Sequence, residues 1–227
     1  MRQFVLLIVL LSSSPIFAQT PHDLWLRLKG GNDFFTQALV TDAQLRLQRR
    51  TMDQARKDYA TTQNPPVTIL SCSDSRVPPE LVFSQTIGEL FVVRTAGNIA
   101  STLDIASIEY ALLPHTNFPN GWTRLIVVLA HQHCGAVAAA LDLSKDEQLT
   151  PGLHELVTQI RRSFTPIPGW PLGLVSPYDA EIANARFAAN DLLARSGVIR
   201  DAVTNKGVKI YVAYYKTEGG KVELIDP

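Results

Sequence analysis

The chain has 227 residues, of which 46% are hydrophobic and 19% are charged, and its 21 basic and 21 acidic residues give a formal net charge of zero. This is the composition of an ordinary globular protein with a sizeable core. The balanced charge shows no basic excess of the kind that binds nucleic acid and gives no reason to expect a long-range field for anionic partners. No nucleic-acid partner is therefore expected.

The N-terminal segment, residues 1–18, differs from the rest of the chain. Arg2 precedes an apolar run from Phe4 to Leu11, and a small residue stands at the end of the segment. This pattern predicts a secretory signal peptide that is cleaved before Gln19, with a buried N-terminal helix as the alternative. The run is shorter than the roughly 20 apolar residues that span a bilayer. We therefore expect residues 19–227 to form a single domain, periplasmic or secreted, with no membrane span.

In chain order, the mature sequence predicts helices alternating with strands. Residues 22–62 are predicted to be helical, ending before Pro65 and Pro66. The predicted strands are Val67–Leu70, Phe91–Val93, Leu125–Leu129, Val208–Tyr215 and Val222–Ile225. The predicted helices between them are Thr102–Leu113, Ala136–Leu143, Leu153–Phe164 and Ala180–Ser196. Because the first three strands lack polar alternation, we predict an α/β fold with a mainly parallel central sheet flanked by helices.

The only two cysteines and one histidine follow predicted strands. Cys72 comes directly after the first strand, and His131 and Cys134 come after the third. In open α/β sheets, functional sites gather at the carboxyl ends of the strands. Two thiolates and one imidazole suit Zn²⁺, and three protein ligands leave an open fourth position, which is typical of catalytic zinc. In an exported protein, a disulfide between Cys72 and Cys134 is the alternative.

Four sequence blocks in this order resemble those of the β-carbonic anhydrases. The blocks are Cys72–Pro78, Gly88–Asn98, Ile108–Tyr110 and His131–Gly135. The resemblance implies a β-carbonic anhydrase-like fold and an enzyme that holds one Zn²⁺ per chain. Its metal ligands are then Cys72, His131 and Cys134. The implied reaction is the reversible hydration of CO₂ to bicarbonate and a proton by a zinc-bound hydroxide.

The resemblance also implies roles for residues around the metal. The resemblance implies two forms of the site. In the open form, Arg76 holds Asp74 away from the metal, and Asp74 orients the nucleophile. In the closed form, Asp74 itself occupies the fourth position on the metal and blocks catalysis. Gln63 is expected to donate a hydrogen bond to bicarbonate, which favours the open form. Phe91 and Tyr110 are expected to line the CO₂ pocket and often cross a dimer interface in the family. The resemblance thus implies a homodimer or a dimer of dimers.

Several features leave alternatives open. Four features depart from the family pattern: Thr95, Ala130, Gln132 and an insertion over residues 115–120. They leave the shape of the pocket open but not the set of metal ligands. His133 is assigned to the rim of the site, with proton transfer as the alternative. A zinc hydrolase acting on carbonyl sulfide or carbon disulfide, and an exported non-enzyme with a disulfide, remain rival interpretations.

Overall fold

The structure is a computed structural model, and it describes residues 19–37, 51–115, 118–171 and 173–227. The predicted signal peptide, residues 1–18, lies outside the described residues, as does the middle of the helical region predicted over residues 22–62. On either side of that gap the prediction is confirmed, because helix α1 spans Pro21–Phe35 and residues 51–58 are helical.

Five strands within the described ranges form one sheet. They are β1 Val67–Ser71, β2 Leu90–Arg94, β3 Leu125–His131, β4 Lys209–Tyr215 and β5 Val222–Asp226. The spatial order is β2-β1-β3-β4-β5. The first four strands are parallel, and β5 runs antiparallel to β4. Every residue of β1 and β3 is buried, which explains why their sequences are mainly apolar and show no alternation of apolar and polar residues.

The remaining helices connect and cover the strands. They are α2 Pro79–Val82, α3 Thr102–Leu112, α4 Gly135–Leu141, α5 Pro151–Arg162, α6 Pro177–Arg195 and α7 Gly197–Asn205. Helices α3 to α6 confirm the predicted helices within a few residues. Helix α7 was not predicted, because a single residue, Ser196, separates it from α6. The Ser196 hydroxyl caps α7 by accepting a hydrogen bond from the amide of Ile199 at 3.0 Å.

The sheet has a separate apolar layer on each face. Leu70 and Val128 point to the face covered by α3, α6 and α7, whereas Ile69 and Val127 point to the face covered by α1 and α2. A third apolar cluster lies beyond the carboxyl ends of β1 and β3, where α4, α5 and α6 meet. None of the helices in the described part of the chain combines the length and apolar character needed to cross a bilayer.

Candidate metal centre

Two neighbouring strands bring three candidate ligands to one point at the carboxyl edge of the sheet. Cys72 follows the last residue of β1, His131 ends β3, and Cys134 precedes the first residue of α4. The ligand atoms of these residues all lie within 4.8 Å of one another. All three side chains are buried. Together they form the Cys–His–Cys cluster, the one group of its kind found among the described residues.

A tight turn lets His131 and Cys134 face the same point. His133, between them, has a φ of 58°, in the left-handed region that non-glycine residues seldom adopt. The peptide that joins His133 to Cys134 is held at both ends. Arg76 Nη2 donates to the carbonyl oxygen of His133 at 2.9 Å, and the amide of Cys134 donates to Glu181 Oε1 at 3.0 Å.

The two cysteines are free thiols whose spacing suits a shared metal. Their Sγ atoms are 4.0 Å apart, about twice the S–S bond length of about 2.05 Å. Two sulfurs on a tetrahedral Zn²⁺, each bonded at about 2.3 Å, would lie about 3.8 Å apart. The disulfide alternative is therefore not the arrangement that the structure shows.

Ionisation of the thiols follows from their contact with each other. The hydrogen bond from the Cys134 thiol is the main cause that lowers the pKa of Cys72 to about 4. The same contact, followed by burial, raises the pKa of Cys134. The backbone amide of Gly97 also donates to Cys72 Sγ at 3.2 Å, which stabilises a thiolate. Both hydrogen bonds favour a thiolate at Cys72, and a bound cation would favour loss of the proton from Cys134 as well.

His131 presents a free nitrogen to the cluster. Its Nδ1 lies 3.0 Å from the carbonyl oxygen of Gln132, which can only accept, so Nδ1–H is the donor. Nε2 is buried and makes no hydrogen bond within the described part of the chain. A buried nitrogen lone pair without a donor is otherwise costly, but it is what a metal-binding imidazole requires. One nitrogen and two sulfurs therefore fit Zn²⁺.

Asp74 and Arg76 form a two-pronged ion pair at the rim of the cluster. Arg76 donates to Asp74 Oδ1 from Nε at 2.9 Å and to Oδ2 from Nη2 at 2.7 Å. Its backbone amide also donates to Oδ1 at 2.9 Å. These bonds to Arg76 hold the pKa of Asp74 far below its usual range. Arg94 fixes the same loop by donating to the carbonyl oxygens of Cys72, at 3.0 Å, and Asp74, at 2.6 Å.

Gln63, Phe91 and Tyr110 lie close to one another but away from the cluster. Gln63 and Tyr110 line a cavity of about 830 Å³, and the rings of Phe91 and Tyr110 are 6.3 Å apart. We call it the aromatic cavity, and its further lining includes Tyr59, His115, Phe118 and Trp122.

The aromatic cavity and the cluster lie at opposite ends of β1. Gln63 precedes β1 and Phe91 pairs with Thr68 near its start, whereas Cys72 follows its end. Five residues at about 3.3 Å each separate the two ends by about 16 Å. One chain by itself therefore does not bring the three predicted pocket residues to the predicted metal ligands.

Sequence reasoning missed two polar residues on the buried face of α6. Glu181 is 3% exposed and Asn184 is 2% exposed. Glu181 contacts the amide of Cys134, and Asn184 Nδ2 donates to the carbonyl oxygen of Gly97 at 2.6 Å. The signal was present in the sequence, because polar residues three apart interrupt the small apolar residues that mark the buried face of this helix.

Comparison with known proteins identifies the family. A family model described as carbonic anhydrase matches residues 67–222. "Carbonic anhydrase 2" of Mycobacterium tuberculosis is 32% identical over 207 residues, which cover 91% of this chain and 93% of that protein. The carbonic anhydrase of Mycolicibacterium smegmatis is 31% identical over 216 residues, which cover 94% of each chain.

Solved structures of β-carbonic anhydrases share the fold. CcaA superposes with a TM-score of 0.67 at 23% identity, covering 78% of this chain and 91% of its own. The Coccomyxa enzyme in complex with acetazolamide gives 0.63 at 23% identity, covering 83% and 87%. A tetrameric enzyme from Sordaria macrospora gives 0.63 at 22% identity, covering 81% and 92%. Because the family model spans all four parallel strands, and relatives align with more than nine-tenths of this chain, the chain belongs to the carbonic anhydrase family and is an enzyme of its β class.

Proposed function

We propose that this enzyme hydrates CO₂ reversibly at a single Zn²⁺ held by Cys72, His131 and Cys134. The observation that carries the proposal is the buried convergence of two thiols and the free Nε2 of His131 within 4.8 Å. When bound, Zn²⁺ supplies a Lewis acid that lowers the pKa of a water molecule from about 15.7 towards 7. The surrounding residues then need to orient the nucleophile and hold the substrate.

Asp74 is proposed to orient the nucleophile, with Arg76 holding it in place. A carboxylate that Arg76 keeps ionised can only accept hydrogen bonds, so it selects one orientation of an O–H group beside it. Because the pKa of Asp74 lies far below its usual range, this acceptor is present throughout the neutral pH range. The pairing corresponds to the open form, in which Asp74 stays with Arg76 rather than entering the metal's fourth position.

A second copy of the chain is proposed to complete the substrate pocket. Tyr110, which lines the aromatic cavity, is 49% exposed, and Leu103, two turns earlier on the same face of α3, is 78% exposed. A homodimer, or a dimer of dimers, that buries this face of α3 could bring Phe91 and Tyr110 of one copy to the cluster of the other. The aromatic rings of Phe91 and Tyr110 would give the pocket an apolar wall that suits uncharged CO₂. The amide of Gln63 can donate a hydrogen bond to the negative charge that develops on the substrate oxygen.

Metal analysis of the purified protein, combined with stopped-flow CO₂ hydration across pH, tests the metal proposal. We expect one zinc per chain, loss of hydration after chelation, and recovery when Zn²⁺ is returned. Full activity in the zinc-free protein, or a bond between Cys72 and Cys134 in the active protein, would contradict it. Faster release of sulfide from carbonyl sulfide than hydration of CO₂ would instead identify a hydrolase on the same scaffold.

Mixing two inactive variants tests the shared pocket. One variant carries His131→Ala and lacks the metal, and the other carries both Gln63→Ala and Tyr110→Ala. If copies complete each other, a co-expressed heterodimer contains one intact site and recovers activity. If each chain completes its own pocket, the heterodimer stays as inactive as its parents. Zinc content of the second parent, which should match wild type, controls for loss of the cluster.

Export is proposed on the sequence pattern alone. If residues 1–18 are a signal peptide, the protein recovered from a periplasmic fraction or culture medium should begin at Gln19. N-terminal sequencing measures this directly. An intact Met1 on the active protein inside the cell would refute the proposal.

A further inference from the structure

We propose that helix α6 positions both zinc thiolates, with Glu181 fixing Cys134 and Asn184 fixing Cys72. The inference rests on the proposed zinc site and extends it to residues that do not touch the metal. Neither residue is a catalytic residue, since each acts through a backbone peptide next to a ligand.

Glu181 controls the direction of the Cys134 side chain. Its Oε1 accepts the amide of Cys134 at 3.0 Å, on the peptide whose carbonyl end is held by Arg76. Fixing both ends of this peptide fixes the backbone at Cys134, and with it the bond from Cα to Cβ. The other carboxylate oxygen, Oε2, accepts the hydroxyl of Tyr214 at 2.6 Å. Two donors thus satisfy a buried carboxylate that would otherwise be costly.

Asn184 controls the donor that faces the sulfur of Cys72. Its Nδ2 donates to the carbonyl oxygen of Gly97 at 2.6 Å, and the amide of Gly97 donates to Cys72 Sγ at 3.2 Å. Gly97 has a φ of 70°, and a Cβ there would meet Ile160 Cδ1 at 2.7 Å. The backbone at residue 97 adopts this φ most readily as a glycine, because any larger residue would be strained there and would have to displace Ile160.

Both contacts come from one rigid element. Glu181 and Asn184 are three residues apart, so they lie on the same face of α6, a helix of 19 residues. This face packs against the sheet and places the two anchors at its carboxyl edge. A single helix therefore sets the 4.0 Å separation of the two sulfurs before a metal binds. Such preorganisation slows metal loss, because ligands held in place cannot move away from the ion one at a time.

Glu181→Met and Asn184→Leu remove the two anchors while nearly conserving volume. In each variant we expect Zn²⁺ transfer to a chromogenic chelator to be at least about tenfold faster than in wild type. The sulfur-to-metal charge-transfer band of the Co²⁺-substituted protein should also shift. Glu181→Gln keeps an oxygen that can accept the amide of Cys134, so it should retain near wild-type metal release. Leu192→Val, a buried change farther along the same helix, controls for general loss of stability.

The outcomes separate this inference from the proposed function. If wild type binds no zinc, the proposed function fails first. If wild type holds zinc and hydrates CO₂, but both anchor variants release zinc like Leu192→Val, the positioning role is overturned. Should Glu181→Met fail to fold, Tyr214→Phe removes one donor to Glu181. The control for Tyr214→Phe is Tyr211→Phe, because Tyr211 lies on the opposite face of β4. Equal rates of zinc release from these two variants would also overturn the positioning role of Glu181.

Discussion

Replacing Asp74 by asparagine separates the proposed catalytic role of this carboxylate from its contribution to stability. The substitution keeps the size of the side chain but removes the charge that Arg76 binds through Nε and Nη2. Because the Arg76 side chain is 49% exposed, solvent screens the pair, and its loss should cost at most about 1 kcal/mol of unfolding free energy. Zinc content should not change, because Asp74 is not one of the three ligands.

Turnover should respond much more strongly than stability. An asparagine can turn its amide group towards the nucleophile and lose the single orientation that a carboxylate enforces. Misorientation of this kind costs about 100-fold in rate, or about 2.7 kcal/mol of activation free energy. We therefore expect kcat/KM for CO₂ hydration to fall about 100-fold in stopped-flow assays at matched zinc content.

The structure offers a matched control for Asp74→Asn. Asp226 is bound by Arg186 through the same two nitrogens, Nε at 2.7 Å and Nη2 at 3.0 Å, at the end of β5. Asp226→Asn should leave hydration unchanged. Wild-type turnover in Asp74→Asn with zinc retained, or an equal loss in Asp226→Asn, would refute the reasoning.

The pH dependence of the Asp74 contribution has a defined sign. Its pKa in the folded protein is depressed below the unfolded value of about 3.9. The stabilisation is therefore fully present above pH about 3.9, and it is lost as pH falls through the folded pKa. Across the neutral range Asp74 stays ionised and paired with Arg76, so the assay compares the same protonation state of Asp74 at every pH in this range.

Four further outcomes follow from the site and its surroundings. Cys72→Ser and His131→Ala should lose zinc and hydration together, as measured by metal analysis and stopped flow. Gln63→Ala should keep its zinc but lower kcat/KM at least about tenfold, since a donor to the developing charge is lost. Leu103→Asp should shift the protein towards monomers in light scattering and lower its activity in parallel. Gly97→Ala should lower the unfolding free energy by about 1–3 kcal/mol in urea titration, because its φ is 70°.

Local patterns in the sequence were sufficient to predict the sheet and the approach of Cys72 to His131. The mainly apolar runs of β1 and β3, which lack polar alternation, predicted buried parallel strands, and residues at the ends of such strands meet at one edge of the sheet. Cys72 and His131 occupy those positions, so their approach follows from topology alone. The position of Cys134 depended on the resemblance as well, because His133 adopts a left-handed turn that spacing does not reveal.

Contacts between distant parts of the chain could not be predicted in this way. Glu181 lies 47 residues from Cys134, and Asn184 lies 87 residues from Gly97. Their pairing depends on how α6 crosses the sheet, which no local pattern encodes. The same reason applies to Gln63 and Tyr110, which share a cavity because the end of α3 returns to the start of β1.

Placing the metal ligands and the aromatic cavity at opposite ends of one strand has a consequence for how the enzyme behaves in solution. If two copies complete each other's pocket, as proposed, a lone chain carries one half-site at each end of β1, and binding metal would not by itself make it competent. Specific activity should then fall on dilution, even when every chain keeps its zinc. The concentration at which it falls would report the affinity of one copy for another, and folding, metal uptake and catalysis would become separable steps.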